Sequence, residues 1–375
     1  LQWVKDANKY SFREINSLKL VDLEGNSQEI LLSSINSHFT ADSLTRFPKI
    51  SWIDSSTFKF QKKNDIFYYD FTTNTITKIL NVDEKATNRE FSPKGLAIAY
   101  TIDNNLFVQD SKNKTLQVTN DEKSTIINGQ AVHRYEFGIS KGIFWSNNGK
   151  KLAFYKKDES MVTDYPLVNT DSRIAEANII KYPMAGMTSH HVSVGVYNIK
   201  DEQIIYLKTG EPKEQYLTNI TWGPNDKYIY IAVLNRDQNH MKLNKYDAQS
   251  GDFVKTLFEE KHENYVQPLH PILFVKGNDN EFLWRSERDG YDHFYRYTVD
   301  GKLMNQVTKG KWVVKDFVAF EGNSIILTGT HQNGLETQVY KSTLKASRST
   351  MISKAEGFHR VKANYNGRFI LDSYN

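Results

Sequence analysis

Short runs of alternating apolar and polar residues, each closed by a polar turn, recur along the whole chain. Side chains two residues apart share one face of a strand, so this alternation predicts half-buried β-strands. One unit repeats: an alternating strand, a turn, a second alternating strand, then an outer hairpin. Its inner pair is legible as LQWVKDANKYSF from Leu1, ISWIDSSTFKF from Ile50 and REFSPKGLAIAY from Arg89. It returns as IFWSNNGKKLAFY from Ile143, ITWGPNDKYIYIAV from Ile220, ILFVKGNDNEFLWRS from Ile272 and FVAFEGNSIILTGT from Phe317. A last copy, VKANYNGRFILDSY, starts at Val361.

A spacing of ~40–55 residues is that of four-stranded propeller blades. The pattern therefore predicts an all-β propeller, eight-bladed in type, with the eighth blade incomplete. The blades fall at about 1–48, 49–86, 87–140, 141–216, 217–268, 269–311 and 312–357, with a partial blade at 358–375. Turn signals close the outer hairpins at Leu23-Glu24-Gly25-Asn26, Asp110-Ser111-Lys112-Asn113, Ser250-Gly251 and Asp300-Gly301. The fourth copy is stretched by an insertion at 158–186. That arm holds Pro166, Pro183 and a helix-like run, Asp171–Ala177. Apolar Tyr165, Leu167, Val168 and Ile174 suit the arm to subunit contact rather than to a floppy loop.

Composition narrows the function. Net charge is +4 from interspersed charges, with no basic block carrying interleaved aromatics, which argues against nucleic acid as a partner. The absence of cysteine excludes a disulfide framework, a thiolate zinc site and a cysteine nucleophile. No apolar run is long enough for a membrane helix. The chain lacks an initiating Met and reads as a fragment of a longer protein.

The sequence contains no phosphate loop, dinucleotide fingerprint or zinc-protease motif, and nothing in it calls for a metal or cofactor. His190 and His191 are adjacent and read as strand-surface residues pointing to opposite faces, unable to share a metal. His262 and His270 read as loop or packing residues. Arg285, Glu287, Arg288 and Asp289 form a charged turn suited to ion pairing. Glu136, in His133-Arg134-Tyr135-Glu136-Phe137-Gly138, lies just before the fourth blade's first strand. A carboxylate there could grip an ammonium group through charge-assisted hydrogen bonds, or form an ion pair with Arg134.

The stretches VHRYEFGISKGIFWSNNGKKLAFYKKDESMVTDYPLV and KYPMAGMTSHHVSVGVYNI resemble the propeller domain of the dipeptidyl peptidase IV family, including bacterial prolyl tripeptidyl peptidases. ATNREFSPKG, TGEPKEQYLTNITWGPNDK, LNRDQNHMKLNKYDAQSG, SERDGYDHFYRY and QVTKGKWVV continue the resemblance in order. It implies an eight-bladed propeller over an α/β-hydrolase domain with a Ser-Asp-His triad, which this chain lacks, so the chain by itself should be inactive. It implies a peptide substrate with a free N-terminus and proline before the cut, its amine held by Glu136 with Arg134 and Tyr135 as neighbours. It implies an exported, periplasmic enzyme that forms a homodimer through the arm. Where dipeptidyl peptidase IV has two adjacent glutamates, Tyr135 precedes Glu136 here, which leaves release of two or three residues open. The loop after Tyr100 is short, and the family's substrate-binding propeller arginine has no clear counterpart. The alternatives are a stand-alone propeller scaffold and a glycosidase-type propeller, which would need a second carboxylate facing Glu136.

Overall fold

The computed structural model describes residues 1–375 except 94, 332 and 333. Antiparallel sheets dominate it, and the predicted repeat is the structural unit. Four-stranded sheets run from Gln2–Trp3 to Ser27–Leu31, from Ile50–Trp52 to Thr75–Asn81 and from Thr87–Phe91 to Thr115–Gln117. Three more run from Gln215–Trp222 to Phe253–Lys261, from Leu273–Val275 to Leu303–Gln306 and from Val314–Glu321 to Ser349–Met351. The remaining sheet, fourth in chain order, has its first strand in two pieces, Ile126–Asn128 and Ile143–Trp145, before Lys151–Asp158, His191–Asn198 and Gln203–Tyr206.

This is a seven-bladed type, and the expectation of eight blades is corrected. The last segment, His359–Ala363 with Ile370–Tyr374, is a two-stranded sheet rather than a blade. Its two strands pair with each other, and it is tied down by side chains: Trp3 Nε1 donates to the Lys362 carbonyl at 2.7 Å and Asn364 Nδ2 to Asn8 Oδ1 at 2.8 Å. The boundary placed at 140/141 also moves. Ile126–Asn128 pairs with Lys156–Asp158, so the fourth sheet already begins at Ile126.

The chain divides into two compact units. One comprises Leu1–Glu84, Ser111–Asn113 and Leu273–Asn375; the other comprises Lys85–Asp110 and Lys114–Ile272. In the first, Trp52, Phe58, Phe60, Phe67 and Tyr69 form an aromatic core with Leu18, Leu20 and Phe47. Burying each large apolar side chain contributes about 1.5–3 kcal/mol. Also in this unit, Arg285 grips Asp292 through two nitrogens and donates to the Lys315 carbonyl at 3.0 Å, so the charged turn does build an ion pair. In the second unit, alternation gives way to a continuous buried run at Leu152–Tyr155, because that strand is covered on both faces.

Asp226, only 8% exposed, joins two turns of the second unit. Its carboxylate accepts from the Asn147 N–H at 2.7 Å, Asn147 Nδ2 at 2.8 Å and the Asn148 N–H at 2.9 Å. Its φ of 57° lies in the left-handed region, which Asn also tolerates. Asp226→Asn keeps that backbone but turns one acceptor into a donor facing an N–H. We expect a loss of about 2 kcal/mol, read as a lower urea midpoint at unchanged slope.

The arm is not helical. Asp164–Asn169 pairs with Glu176–Lys181 as a two-stranded ribbon, with Val168 opposite Ala177. Asn169 makes the turn itself, its Oδ1 accepting from the Asp171 N–H at 3.0 Å. Tyr165, Leu167, Val168 and Ile174 are 39%, 46%, 62% and 80% exposed, so much of the ribbon's apolar surface faces solvent.

Candidate functional site

The segment carrying Glu136 is a loop that bursts out of a strand. Ile126–Asn128 pairs with Lys156–Asp158, and Ile143–Trp145 with Leu152–Phe154. Only Tyr155 separates the two paired stretches. Residues 129–142 thus replace a single ladder position. Both ends of the loop bond to Tyr155: the Gly129 N–H donates to its carbonyl at 2.8 Å, and its N–H donates to the Gly142 carbonyl at 3.0 Å. The neck is so narrow that a Cβ on Gly142 would lie 2.2 Å from the Gln130 oxygen.

At the loop's tip the backbone turns left-handed. His133, Arg134 and Tyr135 have φ of 51°, 53° and 65°, and Phe137 has 54°. Each such conformation costs a residue with a Cβ about 1–2 kcal/mol. Nothing in these residue types announces the turn, so the sequence did not reveal it. The cost is met by packing. Phe137 and His133, both buried, lie 4.9 Å from the Tyr216 ring, Phe137 tilted and His133 edge-on. The Tyr216 hydroxyl accepts from Gln238 Nε2 at 3.2 Å and also from Arg236. On the other side the Arg134 guanidinium sits 4.4 Å over the ring of Tyr182, just beyond the arm's second strand. Gly138, at φ 72°, presses so close to the Leu269 carbonyl that a Cβ would lie 2.0 Å from its oxygen.

This arrangement sorts the predicted site residues. Arg134, Tyr135 and Glu136 are all exposed at the tip, Tyr135 by 71%. Arg134 turns to Tyr182 rather than forming an ion pair with Glu136. The Glu136 carboxylate makes no hydrogen bond or ion pair with the described residues; only its backbone is engaged, with N–H to the His133 carbonyl at 3.0 Å. Beside the loop lies a cleft of about 400 Å³ lined by Gly138, Ile139, Lys141, Trp145, Ile220 and Trp222 among others. Among the described residues no cluster of three or more potential metal ligands occurs. The pillar residues Tyr216, Arg236 and Gln238 escaped sequence reasoning, since they lie far along the chain and carry no motif.

His190 also departs from expectation. It is buried, not a surface residue, because it stacks on His133 with ring centroids 4.9 Å apart. His190 Nε2 meets His133 Nδ1 at 3.0 Å, so one ring donates and the other accepts. His133 Nε2 is buried without a hydrogen-bonding partner among the described residues. Burial lowers both histidines, His190 to about 4, with Lys157 and Arg236 adding repulsion. Around the pair stand Lys157, itself paired to Glu159 at 2.6 Å, together with Arg236, His191 and Tyr216, while Glu214 accepts from the Ser189 N–H. A histidine lowered in the fold is neutral there, whereas the unfolded chain protonates near pH 6.5. The stability held by the pair is therefore complete above pH ~6.5 and drains as pH falls toward about 4. We expect His190→Gln to flatten this acid limb of a thermal-melt series between pH 7 and 4.

Comparison with known proteins places the chain. Residues 45–375 match the model of the dipeptidyl peptidase IV N-terminal region. Dipeptidyl aminopeptidase B of Saccharomyces cerevisiae is 28% identical over 335 residues, covering 82% of this chain and 40% of that protein. A Bacteroides ovatus crystal structure, described as a dipeptidyl aminopeptidase IV, is 33% identical with a TM-score of 0.91, covering all of this chain and 56% of that one. Dipeptidyl peptidase 4 of Porphyromonas gingivalis shares the fold, with a TM-score of 0.81 at 23% identity, covering all of this chain and 56% of that one.

Proposed function

Since the chain belongs to the dipeptidyl peptidase IV N-terminal-region family, we propose that it is the domain that gates substrate and anchors its N-terminus in a serine exopeptidase releasing di- or tripeptides, with proline preferred before the cut. The named relatives are dipeptidyl aminopeptidases, and the chain spans 40% of the yeast one. One observation carries the reading: Glu136 offers an exposed carboxylate, free of partners among the described residues, on a loop whose strained tip is braced on several sides. A carboxylate so placed accepts charge-assisted hydrogen bonds from an α-ammonium group. Fixing that end sets the distance to the scissile bond, which an α/β-hydrolase domain of the same parent chain would attack by its triad. The exposed ribbon suits a homodimer contact, and the enzyme would work in the periplasm or another exported setting.

The test is a peptide pair in the full-length parent enzyme. A chromogenic Xaa-Pro substrate with a free amine should be cut at least about 100-fold more efficiently than its N-acetyl counterpart. Equal rates would end the amine-anchoring reading.

A further inference from the structure

We infer that Tyr216 is the positioning residue for Glu136: from the neighbouring sheet it sets where the amine-binding carboxylate stands. This rests on the amine-anchoring role of Glu136. Tyr216 belongs to strand Gln215–Trp222, while the Glu136 loop springs from the preceding sheet. Its ring touches the tip on both sides of Glu136, through His133 three residues before and Phe137 one residue after. Between these contacts the backbone runs left-handed at His133, Arg134 and Tyr135. That conformation does not persist by itself and needs an external template.

The template is itself fixed. Tyr216 is 7% exposed, and its hydroxyl takes hydrogen bonds from Arg236 and Gln238 at the turn after strand Tyr228–Asn235. The Arg236 guanidinium also lies 5.8 Å from the Tyr216 ring. The ring thus transmits the position of one rigid sheet to a loop of another. It acts through the turn, by its contacts with His133 and Phe137. A misplacement of ~1 Å at a binding group is enough to cost one to two orders of magnitude in affinity or rate.

The experiment uses the full-length parent enzyme and two inhibitors, the product dipeptide Val-Pro and its desamino analogue isovaleryl-proline. Glu136→Gln should raise the inhibition constant of Val-Pro and leave that of the analogue unchanged. Tyr216→Leu should raise the Val-Pro constant about 10-fold and keep the analogue within about twofold. Tyr216→Phe, which keeps the ring, should restore most of the loss. In the Glu136→Gln background Tyr216→Leu should add nothing further. If Glu136→Gln moves neither constant, the amine reading itself falls, and the positioning role with it. If Glu136→Gln moves the Val-Pro constant but Tyr216→Leu does not, or moves both constants equally, the positioning role alone is overturned.

Discussion

Glu136→Gln in the full-length parent enzyme should lower kcat/KM for free-amine peptides about 100-fold, or roughly 2.7 kcal/mol of lost stabilisation. Gln keeps the shape and one acceptor oxygen but removes the charge that meets the ammonium ion. On the proposed reading the amine would be held in the bound substrate and in the transition state alike, so most of the loss should appear in KM. The parent's melting temperature should hardly move. The carboxylate is exposed and has no partner among the described residues, so its loss leaves no buried group unsatisfied. Steady-state kinetics on free and N-acetylated peptides check this, and an unchanged KM would refute the assignment.

The second large effect is expected at the loop's neck. Gly142→Ala places a methyl group 2.2 Å from the Gln130 oxygen, 2.3 Å from its carbonyl carbon and 2.5 Å from its nitrogen. All three are backbone atoms, so no rotamer change relieves the clash. The neck must open, breaking the bonds by which Gly129 and Gly142 clasp Tyr155. Overpacking of this kind costs about 3 kcal/mol or more, and here it should also displace Glu136. Denaturant unfolding reads the first effect and the KM for free-amine peptides the second. A variant as stable as the parent would show that the neck is loose.

Much of the fold was legible because its determinants are local. Segments such as ITWGPNDKYIYIAV carry both strands and their turn within a few residues; the observed strands Gln215–Trp222 and Tyr228–Asn235 flank that turn, the first starting five residues before Ile220. The blade number was misjudged where local reading gives out. VKANYNGRFILDSY has the alternation of a blade's inner pair, and its two strands form as expected, but as a separate two-stranded sheet rather than as part of an eighth blade. The arm was misread for a similar reason: Asp171–Ala177 looks helical by composition, but Asn169 closes an Asx turn and the flanking strands pair instead. At the site, the candidate Glu136 came from its sequence neighbourhood and the family resemblance, whereas the residues that pack around its loop could not be read there. Tyr216 and His190 reach the tip only through tertiary packing.

Strand Lys151–Asp158 runs unbroken past the loop, holding Ile126–Asn128 and Ile143–Trp145 in one register on either side of Tyr155. The excursion is therefore a cartridge clipped into a ladder rather than a part of the ladder. Its exposed tip residues, Arg134, Tyr135 and Glu136, can trade for others while the buried His133 and Phe137 keep the loop packed on the sheet. Descendants of such a scaffold can alter what they recognise without renegotiating how they fold.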